Sequence, residues 1–149
     1  MSAEILVLDD DIMICRIVQR MLSDERYKVQ LSHSVADAVE AIECKSFAAY
    51  VLDYKLPDGS GLDVAERIRT KWGKAPIILI SGYDPASVAL RAEKLAISSF
   101  LEKPFSREVI VGAVKNAIGS SATTLLPVPQ SQTAEPKRRN LFSRLLSRS

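Results

Sequence analysis

The sequence predicts an α/β fold: a doubly wound five-stranded parallel sheet with helices on both faces. Three observations carry this. Short apolar runs alternate five times with amphipathic helical patterns between residues 1 and 119. The runs are almost continuously apolar, as strands covered on both faces must be. Between them lie connections long enough for the right-handed helical crossovers that join parallel strands.

The first strand is Ile5–Leu8, followed by a helix with Ile14, Ile17, Val18, Met21 and Leu22 at i, i+3, i+4 spacing. Lys28–Leu31 is the second strand, and Ser34 is the expected N-cap of a helix with Val35, Ala38, Val39 and Ile42 on one face. "FAAYVLDY" supplies the third strand, ending on Asp53, and "PDGSG" is a turn, with Asp58 a turn residue, before a helix carrying Leu62, Ala65 and Ile68. Ile77–Ile80 is the fourth strand, and a weaker helix around Val88, Ala92 and Leu95 precedes the fifth, "SSFL". Ile110, Ala113, Val114, Ala117 and Ile118 form the last helical stripe.

A chain of 149 residues is about the size of one domain. No stretch approaches the roughly 18 apolar residues of a membrane span, and no basic region precedes the first apolar run, so a cytoplasmic protein is expected. Cys15 and Cys44 both fall in apolar helical patterns and are expected to be buried thiols. The net charge of +2 is unevenly spread: residues 1–119 hold 15 Lys and Arg against 17 Asp and Glu, whereas residues 120–149 hold 5 against 1. Three segments follow: a globular domain over 1–119, a flexible Ser, Thr, Gln and Pro-rich linker over 120–136, and a basic tail over 137–149. If helical, the tail gathers Leu141, Phe142, Leu145 and Leu146 on one arc, a pattern suited to an anionic membrane or an acidic partner.

In a doubly wound sheet, ligands bind beyond the carboxyl ends of the strands. Asp9, Asp10 and Asp11 follow the first strand, Asp53 ends the third, Ser81 the fourth, and Lys103 follows the fifth. Two carboxylates ~4 Å apart repel by about 4 kcal/mol at an effective dielectric of ~20, so ionised neighbours need a compensating cation. Mg²⁺, which takes one or two carboxylates and keeps waters, suits Asp10 and Asp53 with a further acid nearby. The ammonium of Lys103 and the hydroxyl of Ser81 suit phosphate oxygens. Together these groups describe a site for a phosphoryl group. Asp11 is the expected N-cap of the first helix, and the lone His33 is expected at a loop surface without a role.

"ILVLDDD", "YVLDYKLPDGSG", "PIILISG" and "FLEKPF", in this order and spacing, resemble the receiver domain of two-component response regulators, of the CheY-like, flavodoxin-like fold. The resemblance implies that Asp53 accepts a phosphoryl group from a histidine kinase or histidine phosphotransfer protein. It implies Mg²⁺ held by Asp10, Asp53 and the backbone carbonyl of Lys55, with Asp9 acting through water. Lys103 would pair with the phosphoryl oxygens, Ser81 would donate its hydroxyl, and Phe100 would be the aromatic switch residue. The output would be a shift of the surface formed by the fourth helix, fifth strand and fifth helix, read by an effector protein, a phosphorelay or a second copy of the chain. Such a protein is a signalling switch rather than an enzyme with turnover.

This sequence has Ser81 for the commoner threonine, Phe100 for tyrosine, and Ala96-Ile97 for a usual Gly-Ala pair. Lys55 and Tyr83 occupy positions linked in the family to self-dephosphorylation, and the Lys103–Pro104 bond is typically cis there. Thirty residues after Gly119 are too few for a DNA-reading module, so direct DNA binding is not expected. A second reading, a haloacid-dehalogenase-like phosphohydrolase with Asp9 as nucleophile and Asp11 as acid/base, leaves Asp53 unexplained. It also finds only Glu108 and Glu135 after Lys103 for a further metal motif. A phosphorylation-independent adaptor is a third reading.

Overall fold

Alternation along the strands builds the molecule. In the computed structural model, which describes residues 3–82 and 88–122 (120–122 by backbone alone), β1 (Glu4–Leu8), β2 (Lys28–Ser32), β3 (Ala49–Asp53), β6 (Ile77–Ser81) and β7 (Ser99–Glu102) form one parallel sheet. Its strand order is β2-β1-β3-β6-β7. Leu6, Leu8, Tyr50, Leu52, Ile77 and Leu79 point to one face, where they pack with residues of α2 (Val35–Cys44) and α3 (Gly61–Trp72). Ile5, Val7, Ala49, Val51, Ile78 and Ile80 point to the other, against α1 (Ile12–Asp24) and α5 (Arg107–Ala122). Two apolar layers therefore share one sheet, as the period of two requires. α4 (Ala89–Lys94) is short, and Val88 beside it is buried in the α2–α3 layer.

Strand order reverses at β1, whose two neighbours are β2 and β3. The crevice beyond the carboxyl ends of β1 and β3 is thus the topological switch point. β3 is buried along its whole length, Asp53 included, so the sheet carries a carboxylate into its own interior edge.

The caps follow the sequence. Asp11 accepts from the N–H groups of Met13 and Ile14 and starts α1, and Ser34 accepts from Asp37 N–H to start α2. Ser60 and Asp63 form a capping box on α3. The Lys103–Pro104 peptide is cis.

Several expectations need correction. Ile17 is 48% exposed, because the buried arc of α1 runs through Cys15, Val18 and Leu22 on the opposite side. Cys44, the last residue of α2, is exposed; only Cys15 is buried. A small antiparallel hairpin, β4 (Lys55–Leu56) with β5 (Gly59–Ser60), occupies what the sequence marks as a turn. α5 runs to Ala122, past the boundary drawn at Gly119. Tyr83, the rest of the predicted linker and the basic tail lie outside the described residues. Among the described residues, no helix is long and apolar enough to cross a membrane.

Candidate functional site

Four strand ends deliver the polar groups. Asp9 and Asp10 leave β1, Asp53 and Ser81 close β3 and β6, and Lys103 follows β7. Asp9, Asp53 and Ser81 are buried, at 3%, 6% and 1% exposure, whereas Asp10 is exposed. Asp10, Asp53, Ser81 and Lys103 line one open cleft, together with Lys55, Leu56, Pro57 and Gly82.

Lys103 ties the cluster together. Its ammonium lies 3.0 Å from Asp9 Oδ2 and 3.3 Å from Asp53 Oδ1. Its backbone N–H donates to the Ser81 carbonyl at 3.0 Å, which fixes the start of the side chain as well as its end. Burial alone would lower its pKa; the hydrogen bond to Asp9 and the charges of Asp53 and Asp9 outweigh that and raise it. The lysine is therefore held as a cation.

Asp53 is pushed the other way. Burial first, then the negative charge of Asp9, raises its pKa to about 6, with Lys103 opposing both. A buried carboxylate with a raised pKa in a cleft marks a candidate functional site.

Asp9 is committed on both oxygens: Oδ1 accepts from the Asp11 N–H at 2.9 Å and Oδ2 pairs with Lys103. Asp10 keeps its carboxylate at the cleft surface. Carboxylate oxygens of Asp9, Asp10 and Asp53 lie within 4.8 Å of one another, a hard, all-oxygen donor set. Three carboxylates facing one ammonium leave an excess of negative charge, which a hard dication with oxygen preference fits.

The backbone around Asp53 is pinned from two sides. Tyr54 N–H donates to the Ile80 carbonyl at 2.8 Å, and the Tyr54 carbonyl accepts from Gly61 N–H at 2.9 Å. Gly61 has no side chain because a methyl there would overlap the carbonyl of Asp53. The first turn of α3 thus rests directly on the residue that presents the carboxylate.

Phe100 is 9% exposed and packs in the α2–α3 layer, level with Leu79 in the neighbouring strand. Asp11 spends its carboxylate as the α1 cap, so the acid/base of the phosphohydrolase reading is already bound to backbone.

His33 is half-buried rather than a free loop residue: its Nδ1 lies 3.2 Å from the Asp9 carbonyl and 3.6 Å from Cys15 Sγ. Cys15 Sγ also reaches that carbonyl, at 3.2 Å. Burial and then the charge of Asp9 push the Cys15 thiol up to about 12, so it stays protonated and able to donate. No local pattern in the sequence announces this contact, which joins residues 24 positions apart. Asp58, marked in the sequence as a turn residue, also accepts from the N–H groups of Val35 and Ala36 at the start of α2.

Comparisons with known proteins bear on the family and the fold. The family model described as the response regulator receiver domain matches residues 5–115. The acid tolerance regulatory protein ActR of Rhizobium meliloti (strain 1021) is 32% identical over 110 residues, covering 74% of this chain and 57% of that protein. Response regulator MprA of Mycobacterium ulcerans (strain Agy99) is 31% identical over 115 residues, 77% of this chain and 50% of its own length. The chain therefore spans about half the length of these relatives. Among solved structures, the BeF3-activated DrrB receiver domain superposes with a TM-score of 0.72 at 25% identity, over 80% of this chain and 99% of that one. A CheY-like receiver domain protein from Methanospirillum hungatei JF-1 reaches 0.77 at 22% identity, over 80% and 96%, a likeness of fold.

Proposed function

Because this chain belongs to the response regulator receiver domain family of two-component signalling, we propose that Asp53 is its phosphoacceptor and that phosphorylation sets the state of its α4–β7–α5 surface. Receiver domains are signalling switches that generally take a phosphoryl group and bind Mg²⁺ at an acidic pocket. The observation that carries the assignment to this chain is the Lys103 bridge, 3.0 Å from Asp9 and 3.3 Å from Asp53, beside Ser81.

In the proposed step, an Asp53 carboxylate oxygen attacks the phosphorus of a phosphohistidine on a kinase or phosphotransfer protein. The P–O bond forms as the P–N bond breaks, and the imidazole leaves with the electron pair. Bound Mg²⁺ would offset charge on the transferred group, with Asp10, Asp53 and the Lys55 carbonyl as its ligands and Asp9 reaching it through water. Lys103 is placed to follow the charge: its ammonium can exchange part of its pairing with Asp53 for a phosphoryl oxygen while Asp9 still anchors it. Ser81 donates its hydroxyl to another phosphoryl oxygen, and Phe100, on the adjacent strand, repacks with that movement.

The partners that follow are a histidine kinase or histidine phosphotransfer protein upstream and an effector protein or second histidine of a relay downstream. Incubation with acetyl phosphate tests the acceptor role. Mass spectrometry of the intact chain should show one added phosphoryl group in Mg²⁺, none in excess chelator and none in Asp53→Asn. Equal labelling of that variant would overturn the assignment.

A further inference from the structure

Asp58 stands at the tip of the small hairpin that follows Asp53, and its carboxylate leaves the hairpin altogether. Oδ1 accepts from the N–H of Val35 at 2.9 Å and Oδ2 from that of Ala36 at 3.2 Å, across 23 and 22 residues of sequence. These are the first two amides of α2, which have no acceptor within their own helix. The local cap, Ser34, serves Asp37 instead. α2 is therefore capped twice, once by its own sequence and once from the loop of the phosphoacceptor.

We propose that Asp58 is a positioning residue: by clamping the hairpin tip to the N-terminus of α2, it fixes the Lys55 carbonyl for the metal ion. The proposal rests on the reading of Asp53 and Mg²⁺ given above.

The hairpin has little stability of its own. Lys55 pairs with Ser60 and Leu56 with Gly59, and two residues per strand are far below what a free hairpin needs. Its root is anchored, since Ser60 N–H donates to Asp63 Oδ2 at 3.0 Å and Gly61 N–H to Tyr54. The tip is anchored by Asp58. Pro57 fixes its own φ beside it, and the negative charge of Asp58 sits where the helix dipole favours it. The two elements are also in close contact: at Gly59, φ +151°, a Cβ would come within 3.2 Å of Val35 Cγ2 and 3.0 Å of Asp63 Oδ2. Lys55, the first residue of the hairpin, is the residue whose carbonyl the site uses. A tip free to fray would leave that carbonyl in many orientations, and ordering it on each binding event costs affinity.

Calorimetric titration of the full chain with Mg²⁺ separates positioning from helix stability and from charge. Asp58→Ala should weaken binding about tenfold, the lower end of what removing a residue that orients a metal ligand costs. Asp58→Asn keeps one carbonyl acceptor without the charge and should recover most of that loss. Ser34→Ala removes the other α2 cap, lowers Tm comparably, and should leave Mg²⁺ affinity within about twofold. An Asp58→Ala affinity equal to wild type, an Asn variant as weak as the Ala variant, or an equal loss in Ser34→Ala would each overturn the clamp. If Asp58→Ala does not fold, Val35→Pro takes its place: it removes the N–H that donates to Asp58 Oδ1 at a first helical position where proline is tolerated, and it should weaken Mg²⁺ binding several-fold, whereas wild-type affinity would overturn the clamp. Failure of the wild-type chain itself to bind Mg²⁺ would instead bring down the metal reading, and the clamp with it.

Discussion

Gly61 opens α3 in contact with the carbonyl of Asp53, so close that a methyl group would overlap that oxygen. Helix α3 and the end of β3 are thereby a single unit: the helix cannot shift without moving the backbone that carries the Asp53 carboxylate.

Gly61→Ala should therefore cost stability and function together. The overlap is with backbone rather than with a flexible side chain, so relief requires displacing β3 or α3. Urea unfolding should show a loss of about 3 kcal/mol, at the upper end of overpacking effects. Phosphoryl acceptance should fall as well. Unchanged values in both assays would mean that α3 and β3 move independently.

The pH dependence follows from Asp53. Its pKa is about 6 in the folded chain, raised by burial and by Asp9. A carboxyl that holds its proton more tightly folded than unfolded contributes most below its unfolded pKa, near 4, and that contribution is lost as pH rises through about 6. Asp53→Asn removes the loss. In chelator at neutral pH, the variant should be more stable than wild type by about 1–3 kcal/mol, with the difference vanishing below about pH 4. Mg²⁺ should stabilise the wild type more than the variant. A variant less stable than wild type at neutral pH would show that the pairing of Asp53 with Lys103 outweighs its burial.

The turn into β7 carries a conformational cost. Ala96 has φ +54°, the left-handed region that glycine tolerates better. It is held there by Arg69, whose guanidinium donates to the carbonyls of Ala96 at 3.0 Å and Leu95 at 2.7 Å. Ala96→Gly should raise stability by up to about 1 kcal/mol, read as a shift of the urea midpoint at constant m value. A destabilised glycine variant would place the cost elsewhere.

The site was legible in the sequence because its residues end strands. Asp53, Ser81 and Lys103 each follow an apolar run, and parallel topology alone brings such ends to one edge. The Ala96-Ile97 departure was visible too, and the chain keeps the left-handed turn without a glycine. What escaped were contacts set by tertiary packing. Ile17 fits an i+3, i+4 pattern from Ile14, yet the helix turns Cys15 inward, where the thiol reaches the Asp9 carbonyl. Asp58 reads as a turn residue, which it is, but nothing local marks a bond to α2. His33 looked isolated because its partner, a backbone carbonyl, has no signature in sequence.

Among the clustered acids, the proposed acceptor is Asp53. Borohydride reduction of the chain after acetyl phosphate treatment converts an acyl phosphate to homoserine, which peptide mass spectrometry locates. Conversion at residue 53, abolished by chelation of Mg²⁺, is the predicted result; conversion at Asp9 or Asp10 with residue 53 intact would contradict it.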